Sequence, residues 1–331
     1  AGWMAVRVLD VILDENHPRF KELGGYSSIG TIIFQTQNSP INDPSNNFNY
    51  ALPLLPNNKS IPLINEVVIV FNIILEGNNV GNKSKYYYLC SLNLWNTPHH
   101  NALPNVNKDL KENMNSDGDI KLNFTSKHYE GEFEERGDLN PLKQYPGDII
   151  YEGRNGNSFR FGSTYKSKTN NWSSQGKNGD PILIIRNGVN VKNTSSWIPI
   201  TEDVNIDASS IYATSTQQIP IKYTDNYSSL PNKPVIPSQY SNPQIIVISD
   251  RVIIKAKKDG VLISGEEFVH INSLKHIGLN SNYGITLNSN SVNLGSVDAE
   301  ESLILGNTML EVLTNFTDTI INVVDLLSSL Q

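Results

Sequence analysis

The chain has 331 residues and carries 26 Lys and Arg against 33 Asp and Glu, a formal net charge of -7. A length of this order suggests roughly two domains and a sizeable core, and 18% charged residues with abundant Ile, Val and Tyr excludes a charge-driven disordered chain. The largest basic group is Lys255, Lys257 and Lys258, which excludes a phosphate-driven nucleic-acid binder.

Taken from the start, Ala5 to Leu13 reads as a strand, and Arg7 and Asp10 interrupt it too early for a secretory signal. Further strands are predicted at Gly30 to Gln37, Glu66 to Leu75, Lys85 to Leu94, Gly147 to Glu152, Ser158 to Gly162 and Pro181 to Arg186. Turn-rich segments at Asn38 to Asn49 and Gly77 to Lys83 separate them. The longest apolar run, Val67 to Leu75, contains Asn72 and falls well short of the ~20 residues of a membrane span. The single Cys90 can form no internal disulfide, and its apolar run makes it a buried thiol. Short strands with long connections over 1–200 fit a Greek-key barrel of the OB type with an insertion at 96–146. The segment 201–243, with five prolines among Ser, Gln and Asn, reads as an extended connector that packs on its surroundings.

From Asp259 the sequence divides into octads: DGVLISGE, EFVHINSL, KHIGLNSN and YGITLNSN, ending at Asn290. The third and fifth positions are apolar throughout: Val261 and Ile263, Val269 and Ile271, Ile277 and Leu279, Ile285 and Leu287. Each pair is followed by small or amide residues that suit a turn. Ile245 to Ala256 carries the same alternation as a lead-in. Eight residues cover one side of a prism and cannot enclose a core in one chain. Three chains wound about one axis would bury the pairs in stacked layers, so 244–306 is predicted to form an intertwined trimeric β-prism. The alternative, a meander of ordinary hairpins, would not require the period to stay at eight. Over 307–331 follows an amphipathic helix. Thr308 and Glu311 fit a capping box, and Met309, Leu313, Phe316, Ile320, Val323, Leu327 and Leu330 form the seam of a short coiled coil. The fold class expected is therefore mainly β, with a barrel, a trimeric prism and a terminal helix.

Four passages carry a resemblance. The opening Val8-Leu9-Asp10-Val11-Ile12-Leu13-Asp14-Glu15-Asn16-His17-Pro18, the strand-turn-strand run from Pro146 to Ser163 (PGDIIYEGRNGNSFRFGS) and Asn171-Trp172-Ser173-Ser174 resemble an OB-domain protein of T4-like myovirus virions. The end, Leu294-Gly295-Ser296 with Glu301 to Thr308 (ESLILGNT), is similar to the close of the β-prism in baseplate central-spike and VgrG-type proteins. The resemblance implies a homotrimer at the tip of a contractile tail, located in the virion baseplate after synthesis in the host cytoplasm. It implies a hub or tail-tube partner and contact with the host envelope on injection. The chain departs from the family in lacking a lysozyme domain between barrel and prism and a regular Val-x-Gly signature in the octads, so wall-cutting activity is not carried over. A blunt helical end leaves room for a separate spike-tip protein.

No catalytic or cofactor chemistry is expected. Glycoside hydrolysis needs two carboxyls across a cleft, whereas Glu130, Glu132, Glu134 and Glu135 lie in a polar insertion, and Glu300 and Glu301 precede a helix start, where negative charge is favourable. His17, His99, His100 and His128 are scattered or adjacent, and His270 and His276 fall at outer octad positions, so no metal site is predicted. No nucleophile elbow, P-loop or dinucleotide fingerprint is present, and Gly153-Arg154-Asn155-Gly156 reads as a two-residue type I′ hairpin loop. Two rival functions remain: a glycan-binding adhesin using the barrel loops and the surface tyrosines among Tyr86 to Tyr88, and a β-helical depolymerase, for which the octads offer Asn, Ser and Lys where a carboxylate groove is needed.

Overall fold

A computed structural model describes residues 2–36, 49–55, 57–64, 66–75, 83–92, 140–165, 170, 172, 176–189, 198–222, 232–292 and 306–329. Among the described residues the chain is mainly β, with a closed five-stranded barrel, an open five-stranded sheet and a C-terminal helix. It divides into two compact units, Ala1–Ile221 with Pro237–Ile253, and Lys222–Ile236 with Ile254–Gln331.

The barrel uses β1 (Trp3–Val11), β2 (Ile32–Thr36), β3 (Asn49–Pro53), β4 (Val67–Leu75) and β5 (Lys83–Ser91). Its order is β1-β2-β3-β5-β4, closed by β4 against β1, with β3 and β5 parallel and the other pairs antiparallel. Inward positions are Val6, Val8, Val11, Ile32, Phe34, Ala51, Val68, Val70 and Tyr88, a core of β-branched and aromatic side chains that suits a curved, half-buried pleat. Register shifts between Val8 and Asp10 and between Val68 and Val70 supply the extra bend that closure requires. Tyr88 donates its hydroxyl to the Gly30 carbonyl at 2.8 Å, so the one polar atom that this ring takes into the core is satisfied. Burial pushes that phenol up to about 12.

The second sheet holds β6 (Ile149–Glu152), β7 (Asn157–Ser163), β8 (Pro181–Val189), β9 (Asp207–Thr214) and β10 (Gln244–Ser249). The strands run antiparallel in the order β10-β9-β8-β7-β6. The strands anticipated from 147 to 186 therefore leave the barrel and build a separate layer. Strand β9 lies where the sequence reads as connector; its DASSIYAT composition is too polar to stand out, and pairing with β8 and β10 is what makes it a strand. Arg154, Asn155 and Gly156 form a three-residue hairpin loop in place of the expected two-residue one. Gly153 N–H donates to the Asn157 carbonyl at 2.8 Å, and Gly156 takes φ of 83°.

One face of this sheet covers Tyr145, Trp172, Ile182, Ile184, Val204, Tyr212 and Ile219. Buried beside them, Arg160 donates Nε to Glu202 at 2.6 Å, NH1 to Asp148 and NH2 to the Lys143 carbonyl at 2.8 Å. Its guanidinium lies 5.9 Å from the Tyr145 ring centroid and 5.7 Å from that of Trp172. These contacts offset the cost of burying the cation. Arg154 reaches across to the barrel and places both terminal nitrogens on the Glu66 carboxylate, one at 2.7 Å.

The second unit contains α1 (Gly306–Ser329) and the octad stretch. Most of the insertion expected at 96–146, with its glutamates and His99, His100 and His128, lies outside the described residues, as do Glu300, Glu301 and Leu330.

Candidate functional site

The surface that needs explaining is the octad stretch. Over residues 254–292 the backbone is extended and enters no β-ladder among the described residues. Bends fall at 257–259, 266–267, 274–275, 282–283 and 289–290; the middle three are spaced by eight residues, so the period of the sequence recurs in the backbone there. Serine at the seventh octad position holds the last three bends. Ser273 Oγ accepts from Lys275 N–H at 3.3 Å, Ser281 Oγ from Tyr283 and Gly284 N–H at 3.3 and 3.1 Å, and Ser289 Oγ from Ser291 N–H at 3.3 Å. A serine hydroxyl that holds the amide two residues ahead fixes a turn without a second chain. The first octad has Gly265 there, and a Cβ added to it would meet the Phe268 carbonyl oxygen at 2.4 Å.

The apolar pairs repeat with the same regularity. Val261, Val269, Ile277 and Ile285 at the third position are 48, 49, 54 and 53% exposed, while Ile263, Ile271, Leu279 and Leu287 at the fifth are 67, 63, 63 and 67% exposed. Four copies in one environment mean that a single partner geometry can serve all of them. Leu262, Leu274 and Tyr283, outside the pairs, are more open still. His270 is half-buried and His276 exposed, and among the described residues no group of three or more His, Cys, Asp or Glu is placed to hold a metal ion.

Helix α1 is about 36 Å long. Every described side chain from Met309 to Ser329 is exposed, including the seam residues Met309, Leu313, Phe316, Ile320, Val323 and Leu327. Glu311, Asp318 and Asp325 recur at seven-residue spacing and occupy one stripe opposite the seam. The positions flanking the seam are Leu310, Val312, Thr317, Thr319, Val324 and Leu326, which the seam reading missed and a full heptad assignment would have found. Thr317 and Thr319 donate to the Leu313 and Asn315 carbonyls of their own helix at 2.8 and 2.7 Å, so they present methyl groups outward. Among the described residues no helix is long and apolar enough to cross a membrane.

The tyrosines singled out in β5 separate as strand alternation requires. Tyr88 is buried, and Tyr86 packs edge-on against Phe34 at 5.5 Å. Tyr87 faces outward and stacks on Phe71 at 6.3 Å, which in turn meets Trp3 at 4.9 Å. The three rings form a ladder across β5, β4 and β1. Cys90 is half-buried, with no disulfide partner.

No family model, curated protein or solved structure matches this chain. The class that fold and site define is a mainly β protein with a closed barrel, an open sheet, an extended octad repeat with half-exposed apolar pairs and an exposed amphipathic helix.

Proposed function

We propose that the chain is a non-enzymatic structural protein of a contractile phage tail, a homotrimeric central-spike or hub component in the virion baseplate. The observation that carries this reading is the repeat of bends and half-exposed apolar pairs at a fixed period of eight. Two further chains in the same register would give the extended repeat ladder partners and cover its pairs in stacked layers. The wide apolar strip of α1, with its carboxylates confined to the opposite stripe, offers more surface than a two-stranded seam uses and suits three helices. The barrel order β1-β2-β3-β5-β4, with β3 parallel to β5, supports the OB-type expectation and so the architecture "barrel, then prism".

The mechanism in this reading is mechanical. Interchain ladders and Ile, Val and Leu layers from Val261 to Leu287 make a stiff rod, the barrel docks on a hub or tail-tube protein, and sheath contraction drives the rod into the host envelope. Light scattering on the full chain tests it: the reading requires three times the 36.9 kDa chain mass, and a monomer removes its basis. Finding the chain by mass spectrometry in purified contractile tails tests the virion role.

A second reading rests on the Trp3, Phe71 and Tyr87 ladder, whose outward rings suit stacking on a sugar. It makes the protein a glycan-binding tail adhesin. Retention on host surface glycans that is lost in Trp3→Ala and Tyr87→Ala would favour it over a purely mechanical role.

A further inference from the structure

The outer face of the second sheet is apolar across all five strands. Two rows cross it in register. Tyr151, Phe159, Ile185, Ile211 and Val247 make one, and Ile149, Phe161, Leu183, Ala213 and Ile245 make the other. None of the ten is buried, and six are openly exposed: Ile149, Tyr151, Phe161, Ile211, Ile245 and Val247. A third row of Asn157, Asn187, Ser209 and Ser249 borders them, so the array has an apolar centre and an uncharged polar margin. A sheet with one solvated face normally alternates apolar and polar residues. Here both faces carry large apolar side chains, and the inner one already has its core.

We propose that this face is a self-association surface covered by a second copy of the same chain, distinct from the octad repeat and adjoining it in sequence. The inference rests on the multimer reading above. Its first support is size: side chains of roughly 150–250 Å² at these exposures leave about 700 Å² open, above the ~300–600 Å² of an ordinary monomer's largest patch and near the ~800 Å² per partner of a stable interface. Its second support is charge. No ionisable group other than the Tyr151 phenol lies among the ten positions or the bordering row, which is what identical faces need when any charge would meet its own copies. Its third support is continuity. Strand β10 ends at Ser249, and the first octad begins ten residues later at Asp259. Ten residues span at most about 36 Å, so copies wound together on the repeat keep their β10 strands tethered within that distance of the first octad.

The test is hydroxyl-radical footprinting of the full-length protein at the concentration of its light-scattering measurement. Tyr151 and Phe161 are expected to oxidise several-fold more slowly than the exposed references Trp3 and Tyr26. In an I211K/V247K double variant, changed only at outward positions, they should become as reactive as the references while the mass stays that of the multimer. A wild-type trimer whose Tyr151 and Phe161 oxidise as fast as Tyr26 overturns the sheet interface and leaves the prism. Protection that depends on protein concentration, in an assembly of some other size, keeps the sheet interface and removes the three-fold prism. A monomer overturns both, and protection that survives in I211K/V247K with an unchanged circular dichroism spectrum assigns the cover to another segment of the chain and overturns the proposal.

Discussion

Placing a carboxylate at an inward octad position is the sharpest perturbation of the repeat. Ile271 is 63% exposed in the single chain. Full burial of an Ile is worth roughly 1.5–3 kcal/mol, so closing a layer over it contributes about 1–2 kcal/mol per chain and about 3–6 kcal/mol for three chains. Ile271→Asp removes that and sets three like charges roughly 6 Å apart. At an effective dielectric of about 20 this repulsion is on the order of 3 kcal/mol per pair. The sum, about 10 kcal/mol or more per trimer, corresponds to about seven decades in the association constant, at 1.4 kcal/mol per decade. Light scattering and thermal melting at pH 7 are expected to show chains separating or the melting temperature falling steeply. Ile271→Asn, which lacks the repulsion, should fall between variant and wild type. Lowering the pH towards 4 should partly restore the Asp variant as its carboxyls protonate. Leu279→Asp should behave alike, because it occupies the same octad position at the same exposure. An Ile271→Asp protein with wild-type mass and wild-type melting temperature at pH 7 would refute the stacked-layer reasoning.

Three further outcomes are expected. Ile320→Asp in the helix seam should lower the melting temperature, whereas Asp318→Asn on the opposite stripe should leave mass and melting unchanged; equal effects would remove the seam assignment. Arg160→Ala leaves Asp148 and Glu202 buried without their cation and should cost about 3–5 kcal/mol in urea unfolding, well beyond the loss from Arg154→Ala, whose pair with Glu66 is partly open to solvent. Burial raises the Asp207 carboxyl from its ordinary 3.8 to about 7, against the opposing pull of Arg186, 4.0 Å away. The folded chain then holds a proton that the unfolded chain releases, so this group's contribution to stability falls as pH rises from about 4 to about 7 and is level above. Asp207→Asn should flatten that fall in the urea midpoint. Glu152, raised by burial in the same direction, should leave a smaller residual slope.

The local patterns were legible wherever a strand or repeat announces itself through its own residues. Strands β1, β2, β4, β5, β6, β7 and β8 stand in the alternation of Val, Ile, Tyr and Phe, the hairpin loop in Gly153 to Gly156, and the eight-residue period in the apolar pairs. Strand β3, NYALP, was hidden because it is short and ends in proline, and it exists because β2 and β5 pair with it. Tertiary pairing likewise turned DASSIYAT from connector into the strand between β8 and β10. The buried Arg160 network joins residues 12 to 42 positions apart, and no local pattern marks its members.

By itself, then, the sequence determined the period of the chain: two in the strands, eight in the repeat, seven in the helix. Those follow from backbone geometry and side-chain polarity acting between near neighbours. Only the tertiary structure decided which strands meet. It closed five of them into a barrel, set five others into an open sheet, and left much of the sheet's outer rows and of the octad pairs exposed. The physical reason is that pairing depends on which distant segments can share hydrogen bonds and exclude water together, and an apolar side chain reads the same in sequence whether its own chain or another will cover it.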